Sequence, residues 1–257
     1  MDKRRIFTDI RDLMPDSLLI AVPGIFLASV LRGFTGFGFG LAAAPMLSLA
    51  LPPARVVPLV VLSQVAVGCM DLRQAWRACD WRAIRRLLPG LVLGLPLGLA
   101  ILRHLPPDPV RLAIGLLIAG AVILLWRGTR LPPHPSRFLT AGVGILSGTI
   151  SGFSSMGGPP VVVYLIALGH DAARVRATAS IYFMLSGTLS AVMMLNQGMV
   201  DPELLTWTVL SIPALFLGSW VGTGGFHRSS ARHHRNTALM VLSALSIILI
   251  VRALGSV

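Results

Sequence analysis

Apolar and polar positions alternate along this chain in blocks rather than in short periods. Six apolar runs read as membrane-crossing helices, which take about 17 to 25 residues, over roughly Val56 to Met70, Leu87 to Leu102, Val110 to Trp126, Ala177 to Asn196, Leu204 to Gly224 and Asn236 to Val251. Two further runs, Ser17 to Leu51 and Phe138 to Gly169, are too long for one straight helix, and glycines interrupt each in its middle. The interruptions read "RGFTGFGFGL" from Arg32 and "SGFSSMGGPP" from Ser151. Both runs are expected to be broken helices or hairpins. Ahead of them, Ile6, Phe7, Ile10, Leu13 and Met14 recur at helical spacing, which predicts a surface amphipathic segment over residues 1–16.

One interruption lies on the other without gaps. Gly33, Phe34 and Gly38 meet Gly152, Phe153 and Gly157, Thr35 meets Ser154, Leu49 meets Leu168, and the "ARV" at Ala54 meets the "ARV" at Ala173. The chain therefore divides into two repeats, residues 17–127 and 137–253, together one membrane domain. Each repeat is a long broken element followed by three helices. The predicted fold is an all-α integral membrane protein of about eight membrane-embedded elements.

Basic residues orient the repeats. Arg73, Arg77, Arg82, Arg85 and Arg86 mark one cytoplasmic loop, Arg127, Arg130 and Arg137 a second, and Arg228, Arg232 and Arg235 a third; Asp201 and Glu203 fall outside. These marks make each long run a hairpin, entered from opposite faces. Single crossings would put the loop of Arg228, Arg232 and Arg235 outside the cell. The expectation is an inverted-topology pair whose glycine-rich tips face each other near the bilayer midplane.

Composition and charge agree with a membrane protein. A mean hydropathy of +0.78, with 54% hydrophobic and only 12% charged residues, departs from soluble domains, of which about a quarter is charged. The net charge of +12 is spread through short segments between apolar runs, so no nucleic-acid partner is expected. Cys69 and Cys79 lack metal-ligand spacing and read as free thiols, and His233 and His234 sit in a basic loop. No metal or other cofactor is implied.

The tips carry the chemistry. Irregular backbone at membrane depth persists only where protein or water satisfies its amides and carbonyls, so the tips line a cavity. Half-helices starting near Leu41 and Pro159 present free amides and positive dipole ends, and glycine admits an anion close to that backbone. Pro159 and Pro160 suit a first helical turn. Thr35, Ser151, Ser154 and Ser155 add hydroxyl donors, and Arg32 adds a planar cation. Gln64 and Tyr182, in the helices after the hairpins, face either the cavity or a neighbouring helix. Arg55 and Arg174 are expected to fix the hairpin ends, and Met184, Met193 and Met194 to be ordinary span residues. Asp71, Asp171, Asp201 and Glu203 all fall at ends or in loops, so no span carries the carboxylate that a cation site or proton relay needs. The residues point to an anionic substrate.

"RGFTGFGFGLAAAPML" and "GTISGFSSMGGPPVVVYL", one in each half, resemble the glycine-rich hairpins of the TauE/SafE family of sulfite exporters and related anion permeases. The resemblance implies a multi-pass protein of the bacterial inner membrane, built from two repeats and moving sulfite, sulfonates or other small anions. Its motif positions fall on Gly33, Gly36, Gly38, Gly40 and Pro45, and on Gly152, Gly157, Gly158 and Pro160. Ser154, Ser155 and Met156 interrupt the second glycine run.

The sequence thus predicts a permease that takes a small anion between the tips by alternating access, within the lipid bilayer and with homo-oligomers allowed. A potential of 100 mV, negative inside, favours exit of a divalent anion by roughly 4.6 kcal/mol, which leans toward export. Import coupled to protons or sodium, an anion channel and a non-transporting scaffold are the alternatives. An enzyme is disfavoured, since no nucleophile, base or metal set lies at membrane depth.

Overall fold

A computed structural model describes residues 16–35, 38–127 and 136–226, together with 240, 243–244, 246–248 and 250–251. The amphipathic segment expected over residues 1–16 lies outside these except for Asp16, as do Arg130, Arg228, Arg232, Arg235, His233 and His234.

The described residues are helical. In order they form α1 (Asp16–Thr35), α2 (Phe39–Ser48), α3 (Pro53–Ala78), α4 (Trp81–His104), α5 (Pro107–Arg127), α6 (Arg137–Ser154), α7 (Gly158–Ala167), α8 (Ala172–Asn196) and α9 (Pro202–Phe226), and residues 240–251 contribute helical positions beyond them. Local chemistry sets the starts. Asp80 accepts hydrogen bonds from the amides of Arg82 and Ala83 at the head of α4, Ser136 from Leu139 at α6, and Asp171 from Arg174 at α8. Proline opens α3, α5 and α9, where a missing amide hydrogen costs nothing.

Four described helices, α3, α4, α8 and α9, are long and apolar enough to cross a membrane. Their outward faces are apolar too, with Leu93, Leu97, Val209, Leu217 and Trp220 all exposed. Such a surface belongs against lipid, where backbone polar groups must be satisfied within the helix. The chain is a multi-pass helical membrane protein.

The two long runs fold as hairpins. Leu47 of α2 packs its side chain over Gly24 of α1, the one between two and three turns from the break and the other about three, so α2 returns along α1. On the other side Thr140 of α6 donates to the Tyr164 hydroxyl of α7 at 3.2 Å. Arg111 of α5 donates to the Ser48 carbonyl at 3.1 Å and so closes the end of α2.

The tightest packing pairs α4 with α6, α1 with α9, and α3 with α8. Glycine makes these approaches. A methyl group on Gly98 would stand 2.8 Å from Gly152 Cα, and one on Gly222 would stand 3.0 Å from Gly33 Cα. The contacts recur in register: Gly94 meets Ile145 and Gly98 meets Thr149 and Gly152, while Gly218 meets Phe26 and Gly222 meets Val30 and Gly33. Adding 119 to 26, 30 and 33 gives 145, 149 and 152, the same shift that superposes the glycine-rich stretches in sequence. Likewise Gly68 meets Met184 and Gly187 meets Val65, which the same shift interchanges.

The structure corrects one boundary with consequences. α3 does not end at Met70 but runs to Ala78, so Asp71, Arg73 and Arg77 are helical rather than in a loop. "DLRQAWRA" contains good helix formers, Ala75 is buried, and Arg77 sits favourably at the helix C-terminus. Only Cys79 and Asp80 separate α3 from α4.

Candidate functional site

The two breaks meet. A side chain on Gly40, in the first turn of α2, would run into the carbonyl oxygen of Ser155 at the end of α6. Beside this contact lies a cavity of about 40 Å³, the room of about three waters. Its walls come from both breaks and from the crossing of α3 and α8. Of the residues expected at the site, Arg32, Gly38, Gly40, Gln64, Ser151, Ser155, Gly157 and Gly158 line it.

Two helix N-termini open toward it. Neither α2, entered through Gly38 at φ 90°, nor α7, entered through Gly157, has a side-chain cap or an acidic residue in its first turn. Both therefore present a positive dipole end; α2 offers its first-turn amides, and α7 those of Gly158 and Val161, since Pro159 and Pro160 carry none. Ser155 adds a hydroxyl. The residue is 6% exposed, its Oγ has no hydrogen-bond partner, and it holds φ 60°, the one positive φ among described non-glycine residues. A left-handed serine costs roughly 1 to 2 kcal/mol, and such strain gathers where the neighbouring structure holds a residue for use.

Arg32 is the cation of the wall, and it is not free. It is 7% exposed, donates from Nη1 to Ser219 Oγ at 3.2 Å and pairs through Nη2 with Asp71 Oδ2 at 2.7 Å. The expectation that no span carries a carboxylate is therefore wrong. Asp71 lies within α3, seven positions after Gln64, and the extension of that helix past Met70 is what carries it to Arg32. Arg176 of α8 also lies within electrostatic reach of Arg32.

Gln64 both lines the cavity and bonds across helices, donating to the Phe183 carbonyl at 3.2 Å. Tyr182 stands behind the second break: its hydroxyl donates to Ser147 Oγ at 3.1 Å, and Ser147 donates to the Gly157 carbonyl at 2.6 Å. That chain fixes the tip without entering the cavity. Ser154 turns inward to the Ile150 carbonyl at 2.7 Å. Gly33 and Gly152 serve the α1–α9 and α4–α6 crossings. Thr35 ends α1, but its side chain, like all of Gly36, lies outside the described part.

Several lining residues escaped the sequence. Val67 and Gly68 follow Gln64 at helical spacing, and Ser180, Phe183 and Met184 face them from α8. Phe183 is the position reached from Gln64 by the 119-residue shift. The same shift carries Ser180 and Met184 to Val61 and Val65, which do not line the cavity, so the internal alignment finds Phe183 alone, and Met184 is a wall residue rather than an ordinary span residue. Phe39, Leu41 and Met156 complete an apolar lining around few polar groups, as in small-molecule sites generally. Among the described residues no group of three or more His, Cys, Asp or Glu side chains gathers as a metal site would require.

At the helix ends, polar contacts join the halves. Arg55 of α3 reaches Asp201 at 2.6 Å and Glu203 at 3.1 Å, at the head of α9, and lies over the Trp207 ring. His170, just before α8, meets Asp80 at the head of α4 at 2.8 Å.

A multi-pass helical protein with a small pocket between two helix breaks has the architecture of a membrane transporter. The family described as "Sulfite exporter TauE/SafE" matches residues 21–249, and the chain belongs to that family of membrane transporters. Among curated proteins it is similar to "Probable inner membrane transporter protein TsaS" of Comamonas testosteroni, 26% identical over 64% of this chain and 70% of that protein. It is also similar to "Probable membrane transporter protein" of Xylella fastidiosa (strain 9a5c), 27% identical over 85% of this chain and 88% of that protein. No solved structure matches it.

Proposed function

We propose that the protein exports a small anion, sulfite or a small organosulfonate, across the bacterial inner membrane, binding it between the two helix breaks. One observation carries this reading: two uncapped helix N-termini, the Arg32 guanidinium and the unpartnered Ser155 hydroxyl border a single cavity. Amides, a hydroxyl and a guanidinium all donate, and all favour an oxyanion. The cavity's small volume favours an anion of few atoms.

In this reading residues 17–127 and 137–253 are two inverted repeats of four elements each, about eight in all. The registered contacts Gly98–Gly152 and Gly222–Gly33 support it, since each repeat packs the third helix after its break on the hairpin of the other. Rocking of one repeat against the other exposes the pocket to each face in turn. The potential drives an anion outward, by about 2.3 kcal/mol per charge at 100 mV. Asp71 removes the further ground for export, the lack of a carboxylate in the spans. It favours a second reading, import of an anion together with a proton.

Flux separates these. Purified protein in liposomes is loaded with sulfite, and efflux is followed under an imposed potential with sulfoacetate, sulfate and lactate as competitors. Saturable efflux that follows the potential and not a pH gradient is expected. Flux that requires a pH gradient establishes coupled import, and absence of saturable flux from folded protein contradicts transport of sulfite.

A further inference from the structure

We propose that Asp71 occupies, in the empty protein, the place on Arg32 that the transported anion takes, so that substrate binding exchanges one anion for another and releases α1 from α3. This rests on the anion site proposed above and adds how that site is held when empty.

The geometry is specific. Arg32 donates through Nη1 to Ser219 of α9 and through Nη2 to Asp71. An oxyanion drawn to the guanidinium competes there with Asp71, the anionic partner that Arg32 already holds. Asp71 is the one placed to leave: its side chain is 38% exposed, against 9% for that of Arg32. Asp71 also shares a face of α3 with Gln64, Val67 and Gly68 of the cavity wall, at helical spacing.

The pair is built into one half only. The 119-residue shift carries Arg32 to Ser151 and Asp71 to Ser190, so the equivalent positions in the second half hold two hydroxyls. The pair ties α1, at its last turn, to α3, and an arriving anion is the natural agent to undo it.

Equilibrium binding of labelled sulfite and its flux through liposomes test this with wild type and Asp71→Asn. Without the competing carboxylate, sulfite binds tighter by on the order of tenfold. Turnover at saturation falls, because no side chain returns to displace the anion. Affinity unchanged or weakened in folded Asp71→Asn overturns the inference and leaves the anion site standing. Wild type that binds no sulfite overturns the site itself, and the inference with it. A second measurement uses the native chain. Carbodiimide labelling of Asp71, read by mass spectrometry, rises when sulfite is added if the carboxylate is released; labelling that stays level in sulfite-saturated wild type overturns the exchange even if Asp71→Asn does not fold.

Discussion

Gly222 of α9 rests on Gly33 of α1 so closely that a methyl group on the former would stand 3.0 Å from the Cα of the latter. Gly98 of α4 rests on Gly152 of α6 in the same way. These crossings hold the two hairpins in position, and they explain why glycines that look like ligand contacts in sequence are packing residues in the fold. In lipid, where apolar surface gains little from helix contact, such close backbone approach is a main source of association.

Glycine substitutions therefore separate by position. Gly98→Ala forces its methyl group into the Thr149 carbonyl and is expected to destabilise by about 1 to 3 kcal/mol. Gly120→Ala, in α5 with nothing within 4 Å of the added atom, is expected to stabilise by roughly 0.5 to 1 kcal/mol. Thermal unfolding of the two variants in detergent checks both signs.

Ser155 separates stability from function. Ser155→Gly relieves the left-handed strain and removes a buried hydroxyl without a partner, so stability rises by about 1 kcal/mol. The same change removes a donor from the cavity, and anion affinity falls by on the order of tenfold. A variant that unfolds earlier, or that binds sulfite as wild type does, contradicts this placement.

Asp80 gives a pH dependence. Burial pushes its carboxyl up, but the amides of Ala83 and Arg82 and the His170 ring outweigh it and hold the group below the usual carboxylate range. A carboxyl depressed on folding contributes stability that is present above its unfolded value, about 3.9, and is lost as pH falls through the folded one. Asp80→Ala is thus expected to cost about 1 to 2 kcal/mol at neutral pH through loss of the helix cap. The difference from wild type narrows as the pH is taken below about 4, which melting at a series of pH values measures.

Arg55 joins the halves weakly. Its side chain is 37% exposed and its partners Asp201 and Glu203 are 46% and 49% exposed, so Arg55→Lys, which cannot fork to both, costs at most about 1 kcal/mol. High salt reduces that difference further. A larger, salt-insensitive loss means that the pair is more than a surface tie.

Much of this architecture was legible because hydropathy and glycine punctuation are one-dimensional signals. The breaks after Arg32 and after Ser151, and the register that relates them, stand in the sequence. Gly33 and Gly152 read as site residues in sequence because glycine's two uses, admitting a ligand and admitting another backbone, leave the same letter. Asp71 was missed for a different reason. Basic residues crowd the end of α3, and charge read as loop hides a helix that continues into the interface and places a carboxylate on Arg32. Gln64, Ser180 and Met184 converge only through the crossing of α3 and α8, which no local pattern encodes.

Equilibrium binding of labelled sulfite to purified wild type, Arg32→Gln and Arg55→Gln tests the central claim most directly. Wild type is expected to bind saturably at one site, Arg32→Gln to lose affinity by on the order of tenfold or more, and Arg55→Gln, remote from the cavity, to bind as wild type. Equal binding by Arg32→Gln and wild type, with both folded, would contradict an anion site between the two helix breaks.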